Sequence, residues 1–271
     1  MHLIEFHDQA WFPRSCRDAV TDTLEFILGL ENLYAPIVPR LRRALQKAKT
    51  HQVVDLCSGG GGPWTRMLPV FEKQENFPVR VCLTDKYPNV EAFRHAGNAS
   101  QNKIGFHSEP VDATHIPAEL KGFRTLFTSF HHFQPSEARA LLQDAVDNQE
   151  GVGIFEVPRR NLPTMLLVFL VPIAALAVVL FIRPFRLSRL LWTYLIPVSV
   201  AVLFFDGIVS CLRAYSLDEL FDLTRGLSAS GYTWEIGEER SGLTSVPITY
   251  LIGYPSFDFL TDRKSLKVAR L

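Results

Sequence analysis

The chain has 271 residues, with 28 Lys and Arg against 28 Asp and Glu, a length that suits one large domain or one domain carrying an insertion. The balanced charge, without a basic stripe, argues against a nucleic-acid partner. Cys16, Cys57, Cys82 and Cys211 form no Cys-x-x-Cys pair, which argues against a disulfide framework or a structural zinc site, points to a reducing compartment and leaves no metal expected. The opening Met-His-Leu-Ile-Glu-Phe-His-Asp has no basic start followed by an apolar core, so no signal peptide is expected. The stretch from Phe6 to Arg14, with Trp11 at its centre, reads either as an aromatic lid that excludes water or as a segment packed on a sheet edge. Residues 14–50 read as helical, with Leu24, Phe26, Ile27, Leu28 and Leu30 clustered and Pro36 and Pro39 breaking the run.

From residue 52 onward the pattern alternates. A strand at 52–56 ends in Asp55-Leu56 and runs into Cys57-Ser58-Gly59-Gly60-Gly61-Gly62-Pro63, before a helix near 63–74. Glycines let a ligand approach the backbone and tolerate positive φ, and a helix start presents unpaired N–H groups. A strand at 79–84 leads to Asp85 and a helix near 89–100, and a short strand near 104–109 leads to Asp112-Ala113. A strand at 125–130 leads to Phe130-His131-His132-Phe133 and a helix near 136–148, and a strand at 152–157 ends beside Glu156. Strands alternating with helices imply a doubly wound parallel sheet, with the glycine turn at its carboxyl edge.

Leu162 to Ile182 carries no charge, and a second apolar run spans Leu190 to Phe205; together they account for the positive mean hydropathy of +0.09. The first run is long enough to cross a bilayer. Arg183, Arg186 and Arg189 occupy the turn between the runs, which disfavours a full crossing and favours a hairpin embedded in one leaflet with arginines reaching headgroups. A soluble helical subdomain or dimer interface is the other reading. At the hairpin's exit Asp206, Ser210 and Arg213 share a helix face and Tyr215 follows, a set that either pairs internally or lines an acceptor pocket. Ser216 and Glu219 form a capping-box pattern, and 232–240 and 246–252 read as strands joined by a Ser-Gly turn.

The acid-x-Gly-x-Gly pattern of Asp55, Gly59 and Gly61, with the acids after the next two strands and the closing hairpin, resembles the class I S-adenosylmethionine (SAM) methyltransferases. Cys57 stands where that family has its first glycine, and Trp64 where a dinucleotide G-x-G-x-x-G would have its third. The resemblance implies a Rossmann-like, seven-stranded α/β sheet with helices on both faces and an inserted apolar hairpin. It implies SAM held by Asp55, Cys57, Gly59, Gly60, Gly61, Asp85, Asp112, Ala113 and Phe130. The glycine turn, the insertion and the Asp-Gly-x-x-Ser-x-Leu-Arg exit together resemble a group of bacterial methyltransferase-like membrane proteins. The expected division is 1–50 as a helical segment or lid, 51–158 as the SAM-binding core, 159–211 as the apolar hairpin, and 212–271 as the closing helix and β-hairpin.

Methyl transfer to an O–H or N–H acceptor needs a base beyond the fourth strand, where His131 and His132 stand. Trp11, Asp206, Ser210, Arg213 and Tyr215 are the candidates for acceptor contacts. The expected activity is methylation of a hydrophobic or amphipathic small molecule or lipid, with the catalytic domain on the cytoplasmic side of a membrane. A non-catalytic SAM-binding membrane protein and an NAD(P)-dependent oxidoreductase are the alternatives; the missing Tyr-x-x-x-Lys and third glycine weigh against the latter.

Overall fold

The computed structural model describes residues 3–30, 32–227, 231–241 and 246–256. Seven strands form one sheet: β1 (Gln52–Leu56), β2 (Arg80–Leu83), β3 (Ile104–Phe106), β4 (Phe123–Phe127), β5 (Val152–Glu156), β6 (Tyr232–Ser241) and β7 (Val246–Pro255). Their spatial order is β3-β2-β1-β4-β5-β7-β6. The first five are parallel, β7 lies antiparallel to β5, and β6 pairs antiparallel with β7. The order reverses between β1 and β4, so the loops after these two strands part and leave a crevice at the carboxyl edge.

The helices are α1 (Arg14–Gly29), α2 (Val38–Lys47), α3 (Trp64–Lys73), α4 (Val90–Ala99), α5 (Pro135–Asp147), α6 (Leu162–Val168), α7 (Leu170–Val178), α8 (Leu187–Leu190), α9 (Val198–Arg213) and α10 (Leu217–Thr224). One face of the sheet packs on α2, α3 and α4 through Leu41, Leu45, Trp64, Phe71 and Phe93. The other packs on α5 and α10 through Leu141, Leu142, Leu220 and Leu223. Near-continuous burial of both faces explains why the parallel strands read as apolar runs without alternation. Ser216 caps α10 by accepting from the Glu219 N–H, and Glu219 accepts from the Ser216 N–H at 2.8 Å, as the capping-box pattern predicts.

Two expectations shift. Strand β4 starts and ends earlier than 125–130, because Arg124, a poor strand signal in sequence, is buried and paired with Asp144 of α5 at 2.6 Å. Thr128, at φ 48, then turns the chain out of the strand into a 3-10 turn, Phe130–His132. Pro39 does not break a helix but sits in the first turn of α2, where its missing N–H costs nothing. The turn expected between β6 and β7, and the end of the 212–271 segment, fall outside the described residues.

The apolar insertion is not two long rods. The first run is interrupted between α6 and α7, and the second comprises α8, a π-helical turn (Leu191–Leu195) and α9, bent by 77° at Pro197. Among the described residues no single helix is long and apolar enough to cross a membrane, although the bent pair has the length and composition to do so. The insertion packs on α1 through Phe12, Cys16, Val20, Ala175, Val202 and Leu203. Its turn arginines correct the headgroup expectation in part. Arg189 is buried, 2.5 Å from Asp22 of α1, and donates to the Ile182 and Pro184 carbonyls; Arg186 reaches Asp18, Asp22 and Glu91. Two cations are therefore spent tying the hairpin to the core, and Arg183 stays exposed.

Candidate active site

A cavity of about 380 Å³ opens in the crevice between the β1 and β4 loops, roofed by the N-terminal segment and α1. At one end lies the glycine turn. Gly59 (φ 53) and Gly62 (φ 63) use the left-handed region that glycine enters at least cost, and a side chain at Gly60 would press on the backbone of Thr21 and Asp22. Cys57 also sits in the left-handed region, at φ 56, where a side chain carries a steric cost that glycine would not.

Asp85 lines the cavity; its Oδ2 accepts from the Gly59 N–H and its Oδ1 from the Tyr87 N–H, both at 2.8 Å. Those bonds brace the glycine turn and leave lone pairs free on both oxygens. Asp112 also lines the cavity. Burial raises its carboxyl, but the Thr114 hydroxyl and N–H and the Lys86 ammonium, 3.1 Å away, outweigh that and hold it near about 2.

Asp55 is placed differently from the expectation that it faces a ligand. It is 1% exposed and does not line the cavity. Its carboxylate accepts from Thr125 Oγ1 at 2.6 Å and Ser58 Oγ at 2.7 Å, and burial pushes it up to about 6. It supports the glycine turn from beneath. Gly61, Ala113 and Phe130 likewise do not line the cavity; Phe130 and Ala113 belong to the core beneath it.

The opposite end carries the histidines. His131 and His132 both line the cavity. Nδ1 of His131 lies 2.5 Å from Glu156 Oε2, while Glu156 Oε1 accepts from the Ser129 and Phe130 N–H groups at 2.8 and 2.7 Å. Burial pushes the Glu156 carboxyl up, and the imidazole beside it, with these hydrogen bonds, holds it below the ordinary carboxylate value. An ionised Glu156 orients the His131 ring through Nδ1. Nδ1 of His132 pairs with Asp8 at 2.9 Å.

Asp8 comes from the N-terminal segment, for which the sequence left a lid and a packed edge both open and suggested no chemical part. Glu5, His7 and Asp8 all fold down onto the histidine end. Arg17 of α1 holds them there, donating to the His7 and Gln9 carbonyls at 2.8 and 2.6 Å with its guanidinium 3.8 Å over the Tyr87 ring. Asp206 and Arg213 do not pair with each other. Asp206 accepts from the Phe6 and His7 N–H groups and from His7 Nδ1, the last at 2.7 Å. Arg213 meets Glu5 at 3.2 Å and Asp8 at 3.5 Å and donates to the His132 carbonyl. Of the acceptor-side candidates only Ser210 lines the cavity; Asp206, Arg213 and Tyr215 stand behind its wall, Tyr215 donating to the Phe133 carbonyl. Trp11 is 68% exposed and borders a separate apolar groove with Phe6 and Phe205.

Sequence reasoning missed His7, Asp8 and Glu25 as cavity-lining groups and Glu5 behind them. The His-Asp pair at 7 and 8 was the one local signal available for the lid. Glu25 offered none, since it reads as one polar residue on an amphipathic helix.

No protein-family model matches the chain, and no curated protein does. Solved structures match by shape. PigF with SAH is 15% identical, with a TM-score of 0.50, covering 91% of this chain and 62% of PigF. NcsB1, an O-methyltransferase from neocarzinostatin biosynthesis in complex with SAM and 2-hydroxy-5-methyl naphthoic acid, is 16% identical with a TM-score of 0.48, covering 85% of this chain. The pyocyanin biosynthetic protein PhzM is 14% identical with a TM-score of 0.48. The chain spans 55% of NcsB1 and 57% of PhzM, so each of those chains has a substantial part with no counterpart here. At these identities the likeness is one of fold: the chain has the Rossmann-like, seven-stranded architecture of a methyltransferase sheet.

Proposed function

We propose that the protein is a SAM-dependent methyltransferase that acts on an O–H or N–H group of a lipophilic or amphipathic acceptor at a membrane surface. The observation that carries this reading is a single cavity with a glycine turn and Asp85 at one end and the Glu156–His131 pair at the other. The volume falls within the range of small-molecule sites. PigF, a solved structure of similar fold, carries SAH.

The residues present fit SAM. Gly59, Gly60 and Gly62 leave room beside the backbone, Asp85 keeps acceptor capacity for ribose hydroxyls, and Asp112 can accept from an amino group. When bound, SAM supplies a methyl already activated on a sulfonium. The chain's own part is to align the acceptor and take its proton. Nε2 of His131 is the base, and the Glu156 carboxylate on Nδ1 stabilises the imidazolium that results. The acceptor's proton would go to Nε2 of His131 as the acceptor took the methyl that bound SAM supplies. The lid residues from Glu5 to Phe12 keep water from this end.

Membrane association is supported by the outer side of the insertion. Leu162, Phe181, Leu187 and Leu195 are 68%, 69%, 74% and 77% exposed, and large apolar side chains left in water in such number on one insertion point to a partner or lipid face. The 77° bend at Pro197 suits a hairpin lying in one leaflet. The acceptor would then reach the cavity from the lipid side, past Phe6 and Phe205.

Calorimetry of the purified chain with SAM, SAH and NADH tests the cofactor. Binding of SAM and SAH, weakened roughly tenfold or more in Asp85→Ala (about 1.4 kcal/mol), is expected. Binding of NADH alone, or of none of the three, overturns the reading. Flotation with phosphatidylcholine and phosphatidylglycerol vesicles tests the surface; wild type should float and Leu187→Glu/Leu195→Glu should not. Wild type left in the dense fraction would refute the membrane part.

A further inference from the structure

We propose a divalent transition-metal site formed by Glu5, His7 and His132 at the histidine end of the cavity. One ligand atom from each of the three lies within 4.8 Å of the other two. Glu5 is fully buried, and its Oε2 has no hydrogen-bond partner. That oxygen lies 3.4 Å from His132 Nδ1 and 3.9 Å from His7 Nδ1. Ligands sharing one tetrahedral ion over bonds of ~2.0–2.2 Å stand about 3.4 Å apart, so small side-chain shifts would close the three on a single ion.

The charges around the cluster ask for a cation. Glu5, Asp8 and Asp206 bring three carboxylates; the guanidinium of Arg213 faces Glu5 and Asp8, while Oε2 of Glu5 accepts no hydrogen bond and faces the His7 and His132 rings. His131 is occupied by Glu156 and adds no anion of its own. A buried carboxylate oxygen without a partner is costly, and an ion would satisfy it together with both imidazoles. Asp8 Oδ2 and Asp206 Oδ2 lie 2.9 and 2.7 Å from the same two Nδ1 atoms, so an ion that took those nitrogens would replace these two contacts and find both carboxylates within reach as further ligands. Two imidazoles with a carboxylate suit zinc, iron(II), cobalt or manganese rather than calcium or magnesium. Sequence spacing concealed the set, because its ligands come from positions 5, 7 and 132 and none is a cysteine. His7 and His132 both line the cavity, so an ion held there faces the acceptor. Its role, to hold an acceptor oxygen beside His131, rests on the methyltransferase reading; the site itself does not.

The test is metal binding by the full chain. Protein stripped with EDTA and dialysed is titrated with Mn2+ and with Zn2+ by calorimetry, and bound metal is counted by elemental analysis. One equivalent per chain is expected. Glu5→Gln and His132→Gln should each weaken it at least tenfold, and the exposed His95→Gln should not. Binding of neither ion, or binding unchanged in both variants, overturns the site. If a variant fails to fold by circular dichroism, X-ray absorption of the zinc-loaded wild type decides: a nitrogen and oxygen shell supports the site and a sulfur shell refutes it. SAM titrations on the same samples separate the two proposals, since SAM binding without metal removes only this one and metal binding without SAM removes only the methyltransferase reading.

Discussion

Glu25 of α1 lines the cavity opposite the glycine turn, and its carboxylate comes within 3.3 Å of where a side chain at Gly60 would begin. Burial, and then the nearby Asp22, push its carboxyl from the ordinary 4.5 up to about 8, with Arg66 opposing them. Between those values the unfolded chain has released the proton that the folded protein keeps, so the folded state loses stability as pH rises. The contribution is fully present below about 4.5 and gone above about 8. At about 1.36 kcal/mol per unit, the full interval sets a ceiling of about 5 kcal/mol. Glu25 is only half-buried, and screening by cavity water reduces this to about 2–3 kcal/mol. Urea unfolding of wild type and Glu25→Gln at pH 5.5 and 7.5 isolates the effect, since every other titrating group is common to both proteins. Wild type should lose about 1–2 kcal/mol more than the variant across that interval. An equal loss in both proteins would refute the reasoning.

Three other perturbations probe the same architecture. Glu156→Gln removes a charge-assisted hydrogen bond and frees the His131 tautomer; it should cost about 1.5–3 kcal/mol and slow methyl transfer about 10²–10⁴-fold, with SAM affinity unchanged by calorimetry. A variant with the wild-type rate would remove His131 from the base's part. Arg189→Ala leaves Asp22 buried beside a lost partner and should destabilise by about 3–5 kcal/mol in thermal unfolding; a change below about 1 kcal/mol would show that this pair does not anchor the insertion. Cys57→Gly relieves a left-handed side chain and should raise stability by up to about 1 kcal/mol, whereas a clear loss would mean that packing of the thiol outweighs the strain.

Much of the core was legible because its signals are local. The apolar runs at 52–56, 79–84 and 152–157 lie within a residue of the observed β1, β2 and β5, since a strand buried on both faces writes a continuous hydrophobic pattern. The strand before the histidines was displaced because Arg124 looks like a surface residue until Asp144 of α5 neutralises it. The cavity's cofactor end was legible in kind but not in detail. Asp55 and Asp85 each stand at or just beyond a strand's end, yet only Asp85 reaches the cavity, while Asp55 is consumed by Ser58 and Thr125. Motif position tells which residue stands near a turn, not where its carboxylate is hydrogen-bonded.

The amino-acid sequence by itself determined the parallel sheet, the glycine turn, the acids beyond the strands and the apolar insertion, because each follows from periodicity, backbone freedom or composition within a short window. Only the tertiary structure decided that Glu5, His7 and Asp8 of the N-terminal segment meet His132, Asp206 and Arg213, some 200 residues away for the last two. It likewise decided that Arg186 and Arg189 turn back to the acids of α1. Charged side chains act over a few ångströms in space, and the partners available to them are set by how helices and loops pack, a relation that no spacing along the chain encodes.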